Sequence, residues 1–228
     1  MSDVPVLLVH GFASSFERNW REPGWVSVLE DEGRAVIGVD LLGHGTSPKP
    51  TDPGAYTNLA SAIEDVLETQ PLVDAVGFSM GGQLLLRVAS KRPAAFRRIV
   101  IGGVGDSALR ESDAETLARA VETGSPGDAD HQAAGAFARF ARSPDNDPAA
   151  LAACLRRPSS PRSPAELSKV TCPVLVVLGD RDFAGPATEL VASLPDARLV
   201  NMPGADHFST PKDFRFLAGT VEFLSLRG

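Results

Sequence analysis

Apolar residues gather in short runs, separated by longer stretches in which they recur every three or four positions. The runs 4–9 (VPVLLV), 35–39 (AVIGV), 73–78 (VDAVGF), 98–103 (RIVIGG), 173–178 (PVLVVL) and 197–201 (ARLVN) read as strands. Most are rich in Val, Ile and Leu without strict alternation, as expected for strands covered on both faces of a parallel sheet. In YTNLASAIEDVLET, Leu59, Ile63, Val66 and Leu67 fall on one helical face. MGGQLLLRVASKRP predicts a helix that stops near Pro93. The C-terminal STPKDFRFLAGTVEFLSLRG predicts a helix with Ser209 or Thr210 as N-cap and Pro211 in its first turn. Its apolar stripe is expected at Phe214, Leu217, Val221 and Leu224. This alternation predicts an α/β fold in one domain, an open, mostly parallel sheet of about six strands with flanking helices.

The alternation breaks over 104–166. DAETLARAVE, HQAAGAFARFA and DPAALAACL predict short, Ala-rich helices, and RRPSSPRSPAE a Pro/Ser loop leading back to the sheet. We expect a core of 1–103 and 167–228 with a small helical cap, 104–166, inserted over one end of the sheet. Loops at sheet ends tend to carry function, although such helices can also serve packing alone. Leu117, Val121, Phe137, Phe140 and Leu151 either line an acyl pocket or form the insertion's own core; the second is expected for most of them.

Composition narrows the function classes. The chain has 228 residues, is 43% hydrophobic and 22% charged, and carries a net charge of −7. These values suit an ordinary globular domain. No Lys/Arg block offers a nucleic-acid footprint, and no apolar run is long enough to span a bilayer. MSDVPVLLVHGF reads as an early strand and not as a signal peptide. The two cysteines, Cys154 and Cys172, are expected to be free, buried and apolar in a cytoplasmic setting. No Cys/His cluster has zinc spacing. Trp20 and Trp25 either pack the first helix or approach the entrance of a site.

Chemistry enters at VGFSMGGQLLL, 76–86. A strand ends at Phe78, Ser79 follows, and a helix begins at once. So sharp a turn strains the serine backbone and thrusts its hydroxyl outward. Gly77 and Gly81 remove side chains that would collide there. The N–H of Met80, at a helix N-terminus, suits a developing oxyanion. The same pentapeptide also serves a junction where glycines merely permit close packing. A serine nucleophile needs a base. Of the four histidines, His207 lies in a loop after the last strand, where open α/β sheets place their sites. His10 and His44 suit structural roles, and His131 suits a solvated helix position. The carboxylate that orients the base could be Asp180, Asp182 or Asp106. Asp206 ranks lowest because its side chain would have to fold back to reach the far ring nitrogen. The order Ser…Asp…His is that of α/β-hydrolases.

With those residues in place, the chain resembles an α/β-hydrolase-fold protein of the serine esterase/lactonase type. The resemblance rests on HGF (10–12), DLLGHGTS (40–47), GFSMGG (77–82), CPVLVVLGDRD (172–182) and GADHF (204–208), in the family's order. It implies Ser79 as nucleophile, His207 as general base and acid, and Asp182 as the orienting acid. It also implies oxyanion donors at the N–H groups of Phe12 and Met80, a small-molecule acyl substrate, and neither cofactor nor metal. His10 and His44 would be architectural. Many relatives carry antiparallel strands before the His-Gly strand, whereas here that strand comes first, so six parallel strands are expected. The short cap implies an open pocket, or one completed in a homodimer. The same residues would serve carbon–carbon bond hydrolases, thioesterases, lactonases and perhydrolases. A small-molecule receptor that kept the fold but lost turnover is the reading from another class.

Overall fold

The computed structural model describes residues 4–125 and 132–226. Six strands form one sheet: β1 (Val6–Val9), β2 (Val36–Val39), β3 (Val73–Phe78), β4 (Phe96–Gly102), β5 (Val174–Gly179) and β6 (Ala197–Met202). Their spatial order is β2-β1-β3-β4-β5-β6, and every pairing is parallel. The four inner strands are almost wholly buried, while β2 and β6 at the edges are half-exposed. That burial explains why the inner runs lack polar alternation.

Successive side chains nevertheless go to opposite faces, as the pleat requires. Leu7 and Val9 join one apolar cluster with Ala75, Ile99, Ile101, Val174 and Val176, whereas Val6 and Leu8 join another with Val76, Val100, Leu175 and Val177. α2 (Ser61–Thr69) and α3 (Met80–Lys91) cover the first face; α1 (Trp25–Asp31) and α9 (Phe214–Ser225) cover the second. Trp20 and Trp25 are fully buried edge-to-face at 4.9 Å, with Phe216 against Trp25 at 4.7 Å. Both tryptophans are therefore packing residues.

The C-terminal helix begins later than its sequence predicts. Thr210–Lys212 is a separate 3-10 turn, and the α9 N-cap is Asp213, whose carboxylate accepts the Arg215 N–H at 2.9 Å. A carboxylate caps well, so the pattern at Ser209 and Thr210 marked the wrong turn. The stripe shifts accordingly: Phe214 is 74% exposed, while Phe216, Leu217, Phe223 and Leu224 are buried.

Between β4 and β5 lie α4 (Ala114–Thr123), α5 (Gln132–Phe140), α6 (Pro148–Leu155), the short α7 (Pro164–Leu167) and no strand among the described residues. Asp113 and Asp147 cap α4 and α6. Ala118, Val121, Leu151 and Ala152 pack with Ala13 of the loop after β1, and the Asn146 amide donates to the Ala13 carbonyl at 3.0 Å. The Arg156 guanidinium ties α6 to Glu115 and Glu122 of α4 at 2.8 and 2.5 Å. These helices thus sit on the loop that follows the first strand. His131 lies outside the described residues. After α7 come β5, α8 (Thr188–Ala192) and β6. Among the described residues no helix is long and apolar enough to cross a membrane. Cys154 and Cys172 are free, and burial pushes their thiols up to about 11 and about 12.

Candidate active site

Three strand ends meet at one point. Ser79 follows β3 with φ 50° and ψ −115°, in the region that L-residues rarely adopt. Two features hold it there. Its N–H donates to the Gly102 carbonyl of β4 at 2.8 Å. The glycines on either side permit the turn: a Cβ on Gly77 would lie 2.7 Å from the Gly82 Cα, and one on Gly81 would lie 2.4 Å from the Val9 carbonyl oxygen. The Ser79 side chain makes no capping bond to α3, so its hydroxyl is free for other partners.

That partner is His207, on the loop after β6. Its Nε2 lies 3.0 Å from Ser79 Oγ, and its Nδ1 lies 2.9 and 3.0 Å from the two oxygens of Asp182. With the proton on Nδ1 donated to the carboxylate, Nε2 is left to accept from the serine. Asp182 follows β5 and is 8% exposed, and its Oδ1 also accepts the Ala184 N–H at 2.8 Å. The other acids are occupied elsewhere. Asp180 accepts the Gly204 N–H, Asp106 accepts the Leu190 N–H, and Asp206 accepts the N–H groups of Phe208 and Ser209. The turn after β5 therefore brings Asp182, and not Asp180, to the imidazole.

The loop after β1 supplies the opposite wall. Gly11 N–H donates to Asn19 Oδ1 at 2.8 Å, and His10 Nδ1 lies 2.8 Å from the Gly11 carbonyl. Leu41 N–H donates to His10 Nε2 at 3.0 Å, which leaves the ring proton on Nδ1 and makes the Gly11 carbonyl its acceptor. The Gly11 carbonyl and the Phe12 N–H belong to one planar peptide. His10 therefore sets the direction in which the Phe12 amide points. Neither the Phe12 nor the Met80 N–H donates to an acceptor among the described residues. Burial holds His10 below the ordinary histidine range, against the pull of the Gly11 carbonyl and Asp40. Burial and the neighbouring His10 push His44 down to about 3, so both rings stay neutral near pH 7.

Aromatic rings enclose the base. The centroids of Phe183, Phe78 and Phe208 lie 4.3, 4.9 and 5.4 Å from that of His207, which is 3% exposed. Phe137 of α5 meets Phe12 edge-on at 5.3 Å. Sequence reasoning missed Asn19, Phe183 and Phe208. The two phenylalanines adjoin Asp182 and His207 in the chain, and that adjacency was the available signal. Of the five residues expected mostly in a core of segment 104–166, Leu117, Phe137 and Phe140 instead line cavities at Ser79, while Val121 and Leu151 are buried in a cluster that also holds Ala13. Among the described residues no three His, Cys, Asp or Glu side chains cluster as a metal site requires.

A family described as the alpha/beta hydrolase family matches residues 6–215. The chain belongs to that family. Among the relatives of this alpha/beta hydrolase, the pimeloyl-[acyl-carrier protein] methyl ester esterase of Nitrosomonas europaea is 28% identical over 92% of both chains. The 2-hydroxymuconate semialdehyde hydrolase of Pseudomonas putida is 37% identical over 45% of this chain and 37% of its own. Several curated relatives are matched over only about a third of their length, 34–37%. The crystal structure of the enol-lactonase from Burkholderia xenovorans LB400 superposes with a TM-score of 0.76, at 21% identity, over 99% of this chain and 93% of that one. At that identity the likeness speaks for the fold.

Proposed function

We propose that this alpha/beta hydrolase is a serine hydrolase that cleaves a small-molecule carboxylic ester or related acyl compound through Ser79, His207 and Asp182. The observation that carries the reading is the continuous hydrogen-bond chain from Ser79 Oγ through the imidazole to Asp182. Nothing else about a packed core requires a strained serine to face a buried histidine.

In the proposed reaction, His207 Nε2 takes the Ser79 proton as Oγ attacks the carbonyl carbon. Asp182 stabilises the imidazolium that forms. The N–H groups of Phe12 and Met80 receive the oxyanion, the first aimed by His10 and the second set at the start of α3. The imidazolium then protonates the departing alcohol. Water, deprotonated by the same nitrogen, attacks the acyl-enzyme; the ester bond to Ser79 breaks, and the acid leaves with Ser79 reprotonated. Residues 104–166 act as a cap over this site, because Leu117 and the Phe137 ring of that segment line the cavity at Ser79. The free thiols at Cys154 and Cys172 support a cytoplasmic setting.

The partial likeness to a semialdehyde hydrolase of Pseudomonas putida makes carbon–carbon bond cleavage the second reading, since the same side chains would serve it. A panel of p-nitrophenyl esters of graded length, thioesters, lactones and vinylogous diketones separates the two. Ser79→Ala should lower turnover of the preferred class by on the order of 10⁴-fold or more. Near wild-type turnover in that variant would remove the proposal, and binding of ligands without any turnover by the wild type would favour a receptor.

A further inference from the structure

Two cavities meet at Ser79, and Phe12, Ser79 and Phe137 line both. The smaller, about 210 Å³, is walled by Phe78, Phe140 and Phe208; of the charged residues that also line it, Arg18 pairs with Asp145 at 2.8 Å, and Glu22 and Lys212 are exposed and opposite in sign. The larger, about 320 Å³, runs along α3, where Ser79, Gln83, Arg87 and Lys91 line it at every fourth residue. That spacing is one face of a helix. Arg110, Arg157 and Arg162 also line the larger cavity, so five cations stand there against two carboxylates, Glu64 and Glu111. The whole chain carries −7, so this is a local reversal of sign.

Much of that charge has an ordinary account. Lys91 is exposed in the last turn of α3, where a cation suits the helix dipole. Arg110 lies 3.6 Å from Glu189, and Arg157 donates to the Cys154 carbonyl at 2.6 Å. Arg162 is accounted for only in part, through one of its terminal nitrogens. It is only 6% exposed. Its backbone N–H donates to the Ala108 carbonyl at 2.9 Å and its Nη2 donates to the Ser160 carbonyl at 2.5 Å. Its Nη1 is buried without a hydrogen-bond partner among the described residues. Neither Arg162 nor Arg87 forms an ion pair among the described residues. Burial, and then the nearby Arg87, disfavour the charge on Arg162; Glu166 offsets part of this, and Arg157 adds a smaller repulsion. A desolvated guanidinium short of a partner and beside like charges is a costly arrangement that a bound anion relieves. Its fork matches a carboxylate.

We infer that the larger cavity binds an anionic tail of the substrate at Arg162 and Arg87, while the smaller, aromatic cavity takes an apolar group on the other side of the scissile bond. The inference rests on the hydrolase reading of Ser79 and names the substrate class for that site. Ser79 and Arg87 are eight residues apart on one helix face, roughly 12 Å at 1.5 Å per residue. The tail must therefore be separated from the reacting carbonyl by a chain of several atoms, and a short diacid half-ester should not reach.

Two carboxylate probes cover both orientations. Methyl hydrogen suberate carries the anion on the acyl side, and 6-(butyryloxy)hexanoate carries it on the alcohol side. Each is compared with its uncharged counterpart, methyl octanoate or methyl 6-(butyryloxy)hexanoate, and methyl hydrogen succinate is the short control. Affinity is measured by calorimetry on Ser79→Ala, which needs no turnover, and kcat/KM is measured on the wild type. At least one charged probe should bind about tenfold to a hundredfold more tightly than its counterpart, the range expected of a charge-assisted bond. That advantage should fall with salt, be absent for succinate, and disappear in Arg162→Gln. Arg87→Gln, at a half-buried surface position, should reduce it without threatening the fold. If neither charged probe binds better than its uncharged counterpart, the inference is overturned even where uncharged esters are hydrolysed through Ser79. If a charged probe binds selectively but nothing is turned over, the anion site stands and the hydrolase reading falls.

Discussion

Replacing Gly81 by alanine adds one carbon at the place where α3 leaves the sheet. That carbon would sit 2.4 Å from the Val9 carbonyl oxygen and 2.5 Å from that of His10. Both atoms belong to backbone, and Val9 lies in a strand paired on both sides, so neither swings away as a side chain would. Moving from 2.4 Å to the 3.4 Å of ordinary contact asks for about 1 Å of displacement. The start of α3 has to supply it, and Ser79 and Met80 travel with it. A 3.0 Å Ser79–His207 contact opened by that amount is no longer a hydrogen bond. Misplacement of this size costs roughly 10²-fold in rate. Overpacking of the junction should also cost about 1–3 kcal/mol of stability, or roughly 2–4 °C in Tm for each kcal/mol. The control is Gly219→Ala in α9, where an added Cβ meets nothing within 4 Å. It should leave the rate unchanged and stabilise by about 0.5–1 kcal/mol through helix propensity. Steady-state kinetics and thermal melts of both variants decide the matter. A Gly81→Ala protein with wild-type kcat/KM and Tm would refute the idea that this close approach sets the serine.

Two further outcomes follow from the same geometry. Asp182→Asn should lower kcat by on the order of 10³–10⁴-fold, because the amide cannot stabilise an imidazolium, whereas Asp180→Asn, at a Gly204 contact, should stay within a few-fold; equal effects would contradict the assignment. His44, held down to about 3 in the fold, takes up a proton in the unfolded chain below about 6.5, so its share of stability is complete above that pH and is lost as pH falls towards 3. Between pH 6.5 and 4.5 the fold loses roughly 2 kcal/mol of that share, because the loss builds to about 1.36 kcal/mol per unit only once pH is well below the unfolded value. Urea unfolding of His44→Gln should therefore show a shallower pH dependence than the wild type by that order; parallel curves would show that His44 is not buried neutral.

The strands were legible because each inner run is buried on both faces and needs no polar partner. The serine turn was legible because its constraint is local: Gly77, Ser79 and Gly81 are consecutive enough to report their own sterics. The acid was not. Asp180, Asp182 and Asp106 each follow a strand, and only the path of the turn after β5 puts Asp182 against the imidazole. Spacing cannot encode that path, and the family resemblance pointed to Asp182 where the residues alone left three candidates. Asn19 was illegible for a similar reason, since it acts on Gly11 from a π-helical turn over Glu17–Arg21 whose pattern resembles any short helix. The start of α9 was misread because Ser209, Thr210 and Asp213 are all competent caps, and tertiary packing of Phe216 against Trp25 selects the last.

The most direct test is covalent. A fluorophosphonate reports whether one serine is activated by its surroundings, whatever the natural substrate is. Intact-mass and peptide mass spectrometry of the wild type should show a single adduct on Ser79, formed rapidly at neutral pH and lost in His207→Ala while the fold is retained. Labelling spread over other serines, or an adduct at Ser79 that forms equally fast without the imidazole, would contradict the account.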